Sequence, residues 1–438
     1  MQGNRDISRR AFLQRGGAAA LSASALASLL SACGSDDDGG GGGGGGGDPL
    51  KMTNDKIAWK DWFAETGKAA AAAGAIGWNP VEYSDTTSYQ AAIKTTGNTP
   101  KVSDMFSWWS GWLMKELVDA GMLADVTPIW EKQGDAYSPG VRDALTFDGK
   151  QYGVPLNIAY WVTLYNKHTF DKHKVDVPKT WDEFTGACEK LKAADVTPLG
   201  CTIDGRWPGF VNFQELLVRK DPALYTALVD GDAKYTDPGV VDVMNIWGDM
   251  IEKGWFSDPS ATTIGTGANN FPPSFKQGKI AMVVWGTWFE PNLEAAGIKG
   301  GDDYGAFITP NIDDSAGNNL IFETGPWCVG ARSQRLDDAM KATEWFASKE
   351  GQSKWIEVTG FTSPRSDVPS VNPVDKELDE TIQSGDYKLL NRYWEATPHD
   401  IVELAVDQFG KFMLNGGDPV PILETIQKQA DQSWAAVA

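Results

Sequence analysis

Val102-Ser103-Asp104-Met105-Phe106-Ser107-Trp108-Trp109 joins a short apolar segment to two adjacent indoles. Val102 to Phe106 has the length and composition of a buried strand. The next stretch, Trp112 to Ala120, has helical spacing and stops at Gly121. A strand that feeds a helix through a tryptophan-bearing turn is one unit of an α/β layer, and the turn lies at the strand's carboxyl end.

The alternation continues on both sides. Lys60 to Ala73 reads as helix, Trp78 to Tyr83 as strand and Thr87 to Thr95 as helix. Gln151 to Pro155 is a short strand stopped by proline, and Trp161 to Tyr165 is another. Thr180-Trp181-Asp182-Glu183 is a capping box that opens a helix to about Ala193. Asp237-Pro238 opens one through Glu252. Lys279 to Trp285, Tyr304 to Ile308 and Trp327 to Ala331 are strand-like, the last leading past Asp337 into a helix through Phe346. The class is α/β, without tandem repeats or heptads.

The amino terminus is an address. Ser8-Arg9-Arg10-Ala11-Phe12-Leu13 reads as a twin-arginine signal, and the weakly apolar run from Gly17 ends at Leu30-Ser31-Ala32-Cys33, a lipoprotein box. Residues 1–33 are therefore expected to direct export, with acylation of Cys33 anchoring the chain to a membrane. Residues 34–48, with glycine from 39 to 47, form a flexible tether. No Gly-Lys-Ser/Thr follows, so a phosphate loop is not expected.

About 405 residues follow Cys33, enough for two cores. The net charge of -20, with no basic stretch beyond the leader, argues against nucleic acid. With Cys33 lipidated, Cys188, Cys201 and Cys328 remain; a Cys188–Cys201 disulfide and three buried thiols are both open. The histidines are His168, His173 and His399, and the first two are five apart, off the face a helical metal pair needs. No metal or cofactor is expected. Tryptophan is the outlier, at 19 residues. Indole faces stack on the apolar faces of pyranose rings, although most tryptophans serve a core or its rim.

Several blocks resemble the family 1 extracellular solute-binding proteins of ABC importers, of the maltodextrin-binding type. They are Asp104 to Trp109 with Leu117 to Leu123; Tyr152 to Pro155 with Leu164-Tyr165-Asn166-Lys167, Phe170 and Pro178 to Phe184; Phe275 to Met282 with Gly286-Thr287-Trp288; and Gly325 to Gly330 with Ala342 to Phe346, Gln352 and Gly360 to Pro364. Their order spans nearly the whole chain after the leader. Leu50 to Asp55 departs from the pattern, being short and polar where the family has a fuller strand, which leaves the first strand open. The resemblance implies a two-lobed periplasmic-binding-protein fold of type II, with ligand in the cleft between lobes. Block matching places crossings near Pro155, Pro310 and Pro364, so residues 49–155 and 310–365 form lobe one and 156–309 and 366–438 lobe two.

The resemblance also implies the function: a monomeric, membrane-anchored, exported or periplasmic lipoprotein binds a mono- or oligosaccharide by hinge closure and delivers it to ABC permease subunits, without chemistry. Trp288, in the Gly-x-Trp turn, is the leading stacking residue, with Trp285 just before it. Trp108 and Trp109 emerge at the cleft edge of lobe one, one expected at the ligand and one in packing. Asn157, Tyr160 and Trp161 follow the first crossing. Trp207 is an exposed aromatic or a loop anchor. Glu323 and Trp327 line the cleft from lobe one, and Glu323 or Asp104 accepts sugar hydroxyls, although either is also readable as a solvated strand-end carboxylate, Asp104 more so. Two rivals stand. A polyamine or peptide binder on the same fold suits the acidity, and a secreted glycoside hydrolase would need a pair of carboxylates that nothing marks here.

Overall fold

The computed structural model describes residues 49–264 and 269–437. The export signal, Cys33 and the tether lie outside the described residues. In chain order the strands used below are β1 (Leu50–Asn54), β2 (Trp78–Glu82), β3 (Met105–Ser107), β4 (Val154–Pro155), β5 (Ala159–Asn166), β6 (Thr197–Gly200), β7 (Ile280–Gly286), β8 (Tyr304–Phe307), β9 (Asn319–Glu323), β10 (Pro326–Val329) and β11 (Lys388–Asn391). They make two main sheets. The first has the order β2-β1-β3-β10-β4, parallel across β2, β1 and β3 and antiparallel at β10. The second runs β11-β9-β5-β7-β6, and β8 pairs with the distal half of β5. Helices flank both, so the class is α/β with two sheet-containing lobes.

The segment left open by its polarity is a full strand at the heart of the first sheet. Met52 pairs with Pro80 on one side and Met105 on the other, and only Lys51 of β1 is exposed. Thr53 tolerates burial because its hydroxyl bonds the Ser103 hydroxyl.

The helices that matter are α1 (Lys60–Ala72), α2 (Trp112–Asp119), α3 (Trp181–Ala193), α4 (Val211–Lys220), α5 (Leu336–Ala347), α6 (Lys349–Thr359), α7 (Pro373–Ser384), α8 (His399–Asn415) and α9 (Val420–Val437). The capping box of α3 is present: Glu183 N donates to Thr180 Oγ1 at 3.2 Å and Thr180 N to Glu183 Oε2 at 3.3 Å. Such a cap is worth about 1 kcal/mol. Lobe one is held by rings. Trp327 of β10 stacks on Phe346 of α5 at 4.4 Å and meets Trp78 of β2 edge-on at 5.0 Å, and Phe63 of α1 stacks on Trp355 of α6 at 4.8 Å. Each buried indole contributes at most about 4–6 kcal/mol by area.

Sheet membership corrects one expected crossing. The chain leaves lobe one through Leu156–Ile158, between β4 and β5. It returns at Thr324-Gly325, between β9 and β10, well past Pro310. The reason is pairing: β9 lies in the second sheet, antiparallel to the start of β5 and parallel to β11. The loop after Pro310 stays there too, with Ile312 N donating to the carbonyl of Arg219 in α4 at 2.9 Å. The two crossings are bonded to each other, Leu156 N to Gly325 O at 2.8 Å and Thr324 Oγ1 to Asn157 O at 2.7 Å. A third passage runs from Arg365, bonded to Ala347 O in lobe one at 2.7 Å, to Asn372, bonded to the Tyr304 hydroxyl in lobe two at 2.7 Å.

The disulfide alternative is also corrected. Cys188, Cys201 and Cys328 are free and buried, and Cys201 Sγ donates to Ser257 O at 3.2 Å.

Candidate functional site

The carboxyl ends of β1 and β3 supply one wall of the cleft. Asn54 closes β1, and the turn after it carries Asp55 and Lys56. The Lys56 ammonium pairs with Asp55 at 2.7 Å and sits 5.0 Å from the Trp59 ring and 5.2 Å from the Trp109 ring. Asp55 is held in turn by the Thr86 hydroxyl at 2.7 Å. Beyond β3, Trp108 turns inward, with its Nε1 donating to Leu113 O at 3.0 Å, while Trp109 is half-buried and meets Trp108 edge-on. The next residue, Ser110, is buried and its hydroxyl has no partner among the described residues.

The facing wall comes from β5, β7, β9 and the segment after β11. Trp161 and Trp285 are buried, and over them lie the half-buried Trp207 and Trp288, with Trp207 5.0 Å from Trp285 and 6.0 Å from Trp288. Arg392, just past β11, stands 5.5 Å from the Trp161 ring. It pairs with Glu323 at 2.6 Å and with Glu395. One guanidinium between two carboxylates leaves an excess negative charge. Burial pushes the Glu323 carboxyl up to about 7, against the pull of Arg392, and Glu395 adds to the rise while the Trp288 indole and Lys56 oppose it. The influence of Lys56 is the mark of proximity: a lobe-one cation acts on a lobe-two acid. Glu323 Oε1 has no hydrogen-bond partner among the described residues.

The walls touch at one edge. Trp112 Nε1, in α2, donates to Ala396 O at 3.0 Å, and its ring meets Trp434 of α9 edge-on at 5.4 Å. At the hinge, Gly325 lies beside the Asn157 side chain and the Trp108 carbonyl.

Residues 66–381 match the family model described as bacterial extracellular solute-binding protein. The chain belongs to that family. An uncharacterized ABC transporter extracellular-binding protein of Pyrococcus horikoshii is 25% identical over 71% of this chain and 70% of its own length. A probable sugar-binding periplasmic protein of Mesorhizobium japonicum is 25% identical over 73% and 72%. The fold is shared with a chitin oligosaccharide binding protein (TM-score 0.73, 20% identity, 89% of this chain and 100% of the other). It is also shared with the sugar-binding protein MalE of Xanthomonas citri (TM-score 0.72, 16% identity, 89% and 98%).

In this solute-binding protein the residues singled out from sequence separate into groups. Trp109 of lobe one and Trp207, Trp288 and Glu323 of lobe two lie on the walls described above, and Asn157 is buried at the first crossing. Glu323, expected from lobe one, is the last residue of β9 and so belongs to lobe two. Trp108, Trp161 and Trp285 back the cleft from within the cores. Tyr160 is buried with its hydroxyl facing Asp379, on the side away from the indoles. Two residues fall elsewhere. Asp104 is at the opposite end of β3, accepting from Lys51 N at 3.0 Å and the Ser333 hydroxyl at 2.6 Å. Trp327 lies in the lobe-one core, its Nε1 bonded to Thr343 Oγ1 at 2.9 Å. Lys56, Trp59, Arg392 and Glu395 were not read from sequence. Their signal was weak: Lys56 directly follows the segment whose strand was in doubt, and Arg392 follows a strand that shows no clear alternation. Among the described residues no helix is long and apolar enough to cross a membrane.

Proposed function

We propose that this protein captures an uncharged mono- or oligosaccharide between its lobes by hinge closure and passes it unaltered to the membrane subunits of an ABC importer. The observation that carries the reading is the pair of half-buried indoles, Trp109 and Trp288, on opposite lobes, with the unpartnered Ser110 hydroxyl and Glu323 Oε1 beside them. Indole faces suit sugar rings, and the free polar atoms suit their hydroxyls. Names among the relatives agree with it, including the probable sugar-binding periplasmic protein and a maltodextrin-binding protein of Bacillus subtilis. Sugar bridging both walls favours the closed form by its differential contacts. The reading includes export by the twin-arginine signal, anchoring through acyl chains on Cys33, and action as a monomer.

A thermal-shift screen against mono- and oligosaccharides, amino acids, peptides and polyamines tests it, because a solute at 100 times its Kd adds about 2.7 kcal/mol to stability. A rise in melting temperature with saccharides alone supports the reading. A rise only with amines or peptides, or cleavage of an oligosaccharide during incubation, overturns it. Cys33→Ala tests the anchor separately, by moving the protein from the membrane fraction to the soluble one.

A further inference from the structure

Behind the Trp288 turn, on the hinge side, lies a buried polar network that the sugar site does not use. Tyr160 N donates to Thr287 Oγ1 at 3.3 Å, the Thr287 and Thr362 hydroxyls lie 2.8 Å apart, and Thr362 donates to Asp375 Oδ1 at 2.9 Å. With the Thr362 hydrogen directed at Asp375, Thr287 must donate to Thr362. The chain of donors then runs one way, from the strand after the first crossing, through the residue before Trp288, to the third crossing and helix α7.

Two more carboxyls gather at its end. Glu290 accepts from the Tyr304 hydroxyl at 3.3 Å, and its Oε1 is buried without a partner among the described residues. Asp379, one turn along α7, accepts from the Ser370 hydroxyl at 2.9 Å and faces Tyr160. The groups facing the three acids are Tyr160 of β5, Tyr304 of β8, Thr362, Ser370 and Asn372 of the third passage, and Glu294 beside Glu290. None is a cation. No three acid, histidine or cysteine side chains of the described residues come together so as to hold a metal ion. Glu290 and Asp375 are 1% exposed.

We propose that Glu290 and Asp375, flanked by Asp379, form a proton-held brace behind the hinge, which docks the third passage against the Trp288 turn and loosens when their protons leave at alkaline pH. An ionised carboxylate buried without a cation is costly, so the acids keep protons that solvent would otherwise take. Burial pushes Asp375 and Glu290 well above the ordinary carboxylate range, with their mutual repulsion adding to the rise in Glu290, and Asp379 up to about 6. A group raised in this way adds stability that is complete below its ordinary range and is lost as pH climbs through the folded value. These are positioning residues: they touch the ligand wall only through Thr362, Thr287 and Tyr160.

The test uses the purified mature protein without sugar, so it is independent of the ligand's identity. Between pH 6 and 9 the wild-type melting temperature should fall by roughly 2 °C per pH unit across the titration. Hydrogen exchange in peptides covering residues 360–372 should quicken several-fold over the same range. Glu290→Gln and Asp375→Asn should flatten the exchange profile and reduce the melting slope to the part left by Glu323 and Asp379, whereas a purely structural role would lower stability equally at every pH. Variant profiles parallel to wild type overturn the proposal, as does a millimolar calcium or sodium effect that abolishes the pH dependence. Should neither variant fold, the infrared band of a protonated carboxyl in the wild type at pH 8 decides: its presence supports the brace and its absence refutes it.

Discussion

Gly111→Ala should weaken ligand binding without unfolding either lobe. Gly111 precedes α2 with φ 65° and ψ -138°, a conformation that side chains disfavour. A methyl built on it would lie 2.6 Å from the carbonyl carbon of Glu395 and 3.1 Å from its Cα. Carbon atoms pack at about 3.5–4.0 Å, so the contact between lobes must open by about 1 Å or more. The obstacle is backbone on both sides and has no flexible end to swing away. Opening also strains the Trp112 bond to Ala396 and its edge contact with Trp434, each worth about 1 kcal/mol. Local strain at residue 111 is common to open and closed forms and cancels, while the proposed closure makes the contact between lobes a property of the closed form. The closed form should therefore lose about 1–3 kcal/mol relative to the open form, a rise of about 5–150-fold in Kd. Calorimetric titration with the solute selected by thermal shift measures it, alongside the radius of gyration from X-ray scattering. Gly121→Ala is the control: φ is 66° there too, but no atom lies within 4 Å of the added methyl, so stability alone should drop. If Gly111→Ala binds within twofold of wild type and scatters identically with ligand, closure does not pass through this contact.

Trp288→Ala and Trp109→Ala should each raise the sugar Kd by about 30-fold, close to 2 kcal/mol per stacking ring, while Trp327→Ala should instead lower the melting temperature; titration and melting of the three variants separate the roles. Because burial pushes Glu323 up to about 7, its ionised, accepting form grows through neutral pH, so sugar affinity should rise between pH 6 and 8 and Glu323→Gln should level that profile. The stability term has the opposite sign, being lost as pH climbs through 7, so binding and melting should move in opposite directions in the wild type. Cys188, Cys201 and Cys328 should all react in denaturant without prior reduction, and a reductant should leave the melting temperature unchanged; labelling of Cys328 without Cys188 and Cys201 would restore their bridge.

The parts of the fold legible in sequence are those fixed by local chemistry. The Thr180 capping box, the stop at Gly121 and the helix opened at Pro238 depend on neighbours within a few residues, and each stands where its residues place it. Leu50–Asn54 was obscure because its central position is set by β2 and β3, which bury Thr53 and Asn54 irrespective of polarity. The return crossing was misplaced for a related reason. Proline at 310 marks a turn, but only pairing with β5 and β11 decides which sheet owns residues 319–323, and pairing partners are far away in sequence.

The site shows the same division more sharply. Tryptophan is large enough to be noticed anywhere, so Trp109 and Trp207 stand out from composition and strand ends, and Trp288 from the family resemblance. The same abundance misled at Trp327, since an indole next to a cleft strand and one beneath it have identical sequence surroundings; only the alternation of faces along β10 sends it to Phe346. Charge behaves differently. Arg392 is one of 39 basic residues and Glu395 one of 59 acidic ones, and neither carries any local mark of burial. What makes them part of the site is their convergence with Glu323 from a separate strand, which places an excess negative charge against the indoles and opposite Lys56. If that charge orients the bound solute, Arg392→Met should be more harmful than Glu395→Gln. The first strands two buried carboxylates, a loss of about 3–5 kcal/mol, while the second leaves one balanced pair. Equal melting temperatures for the two variants would mean that the three groups do not act as a unit.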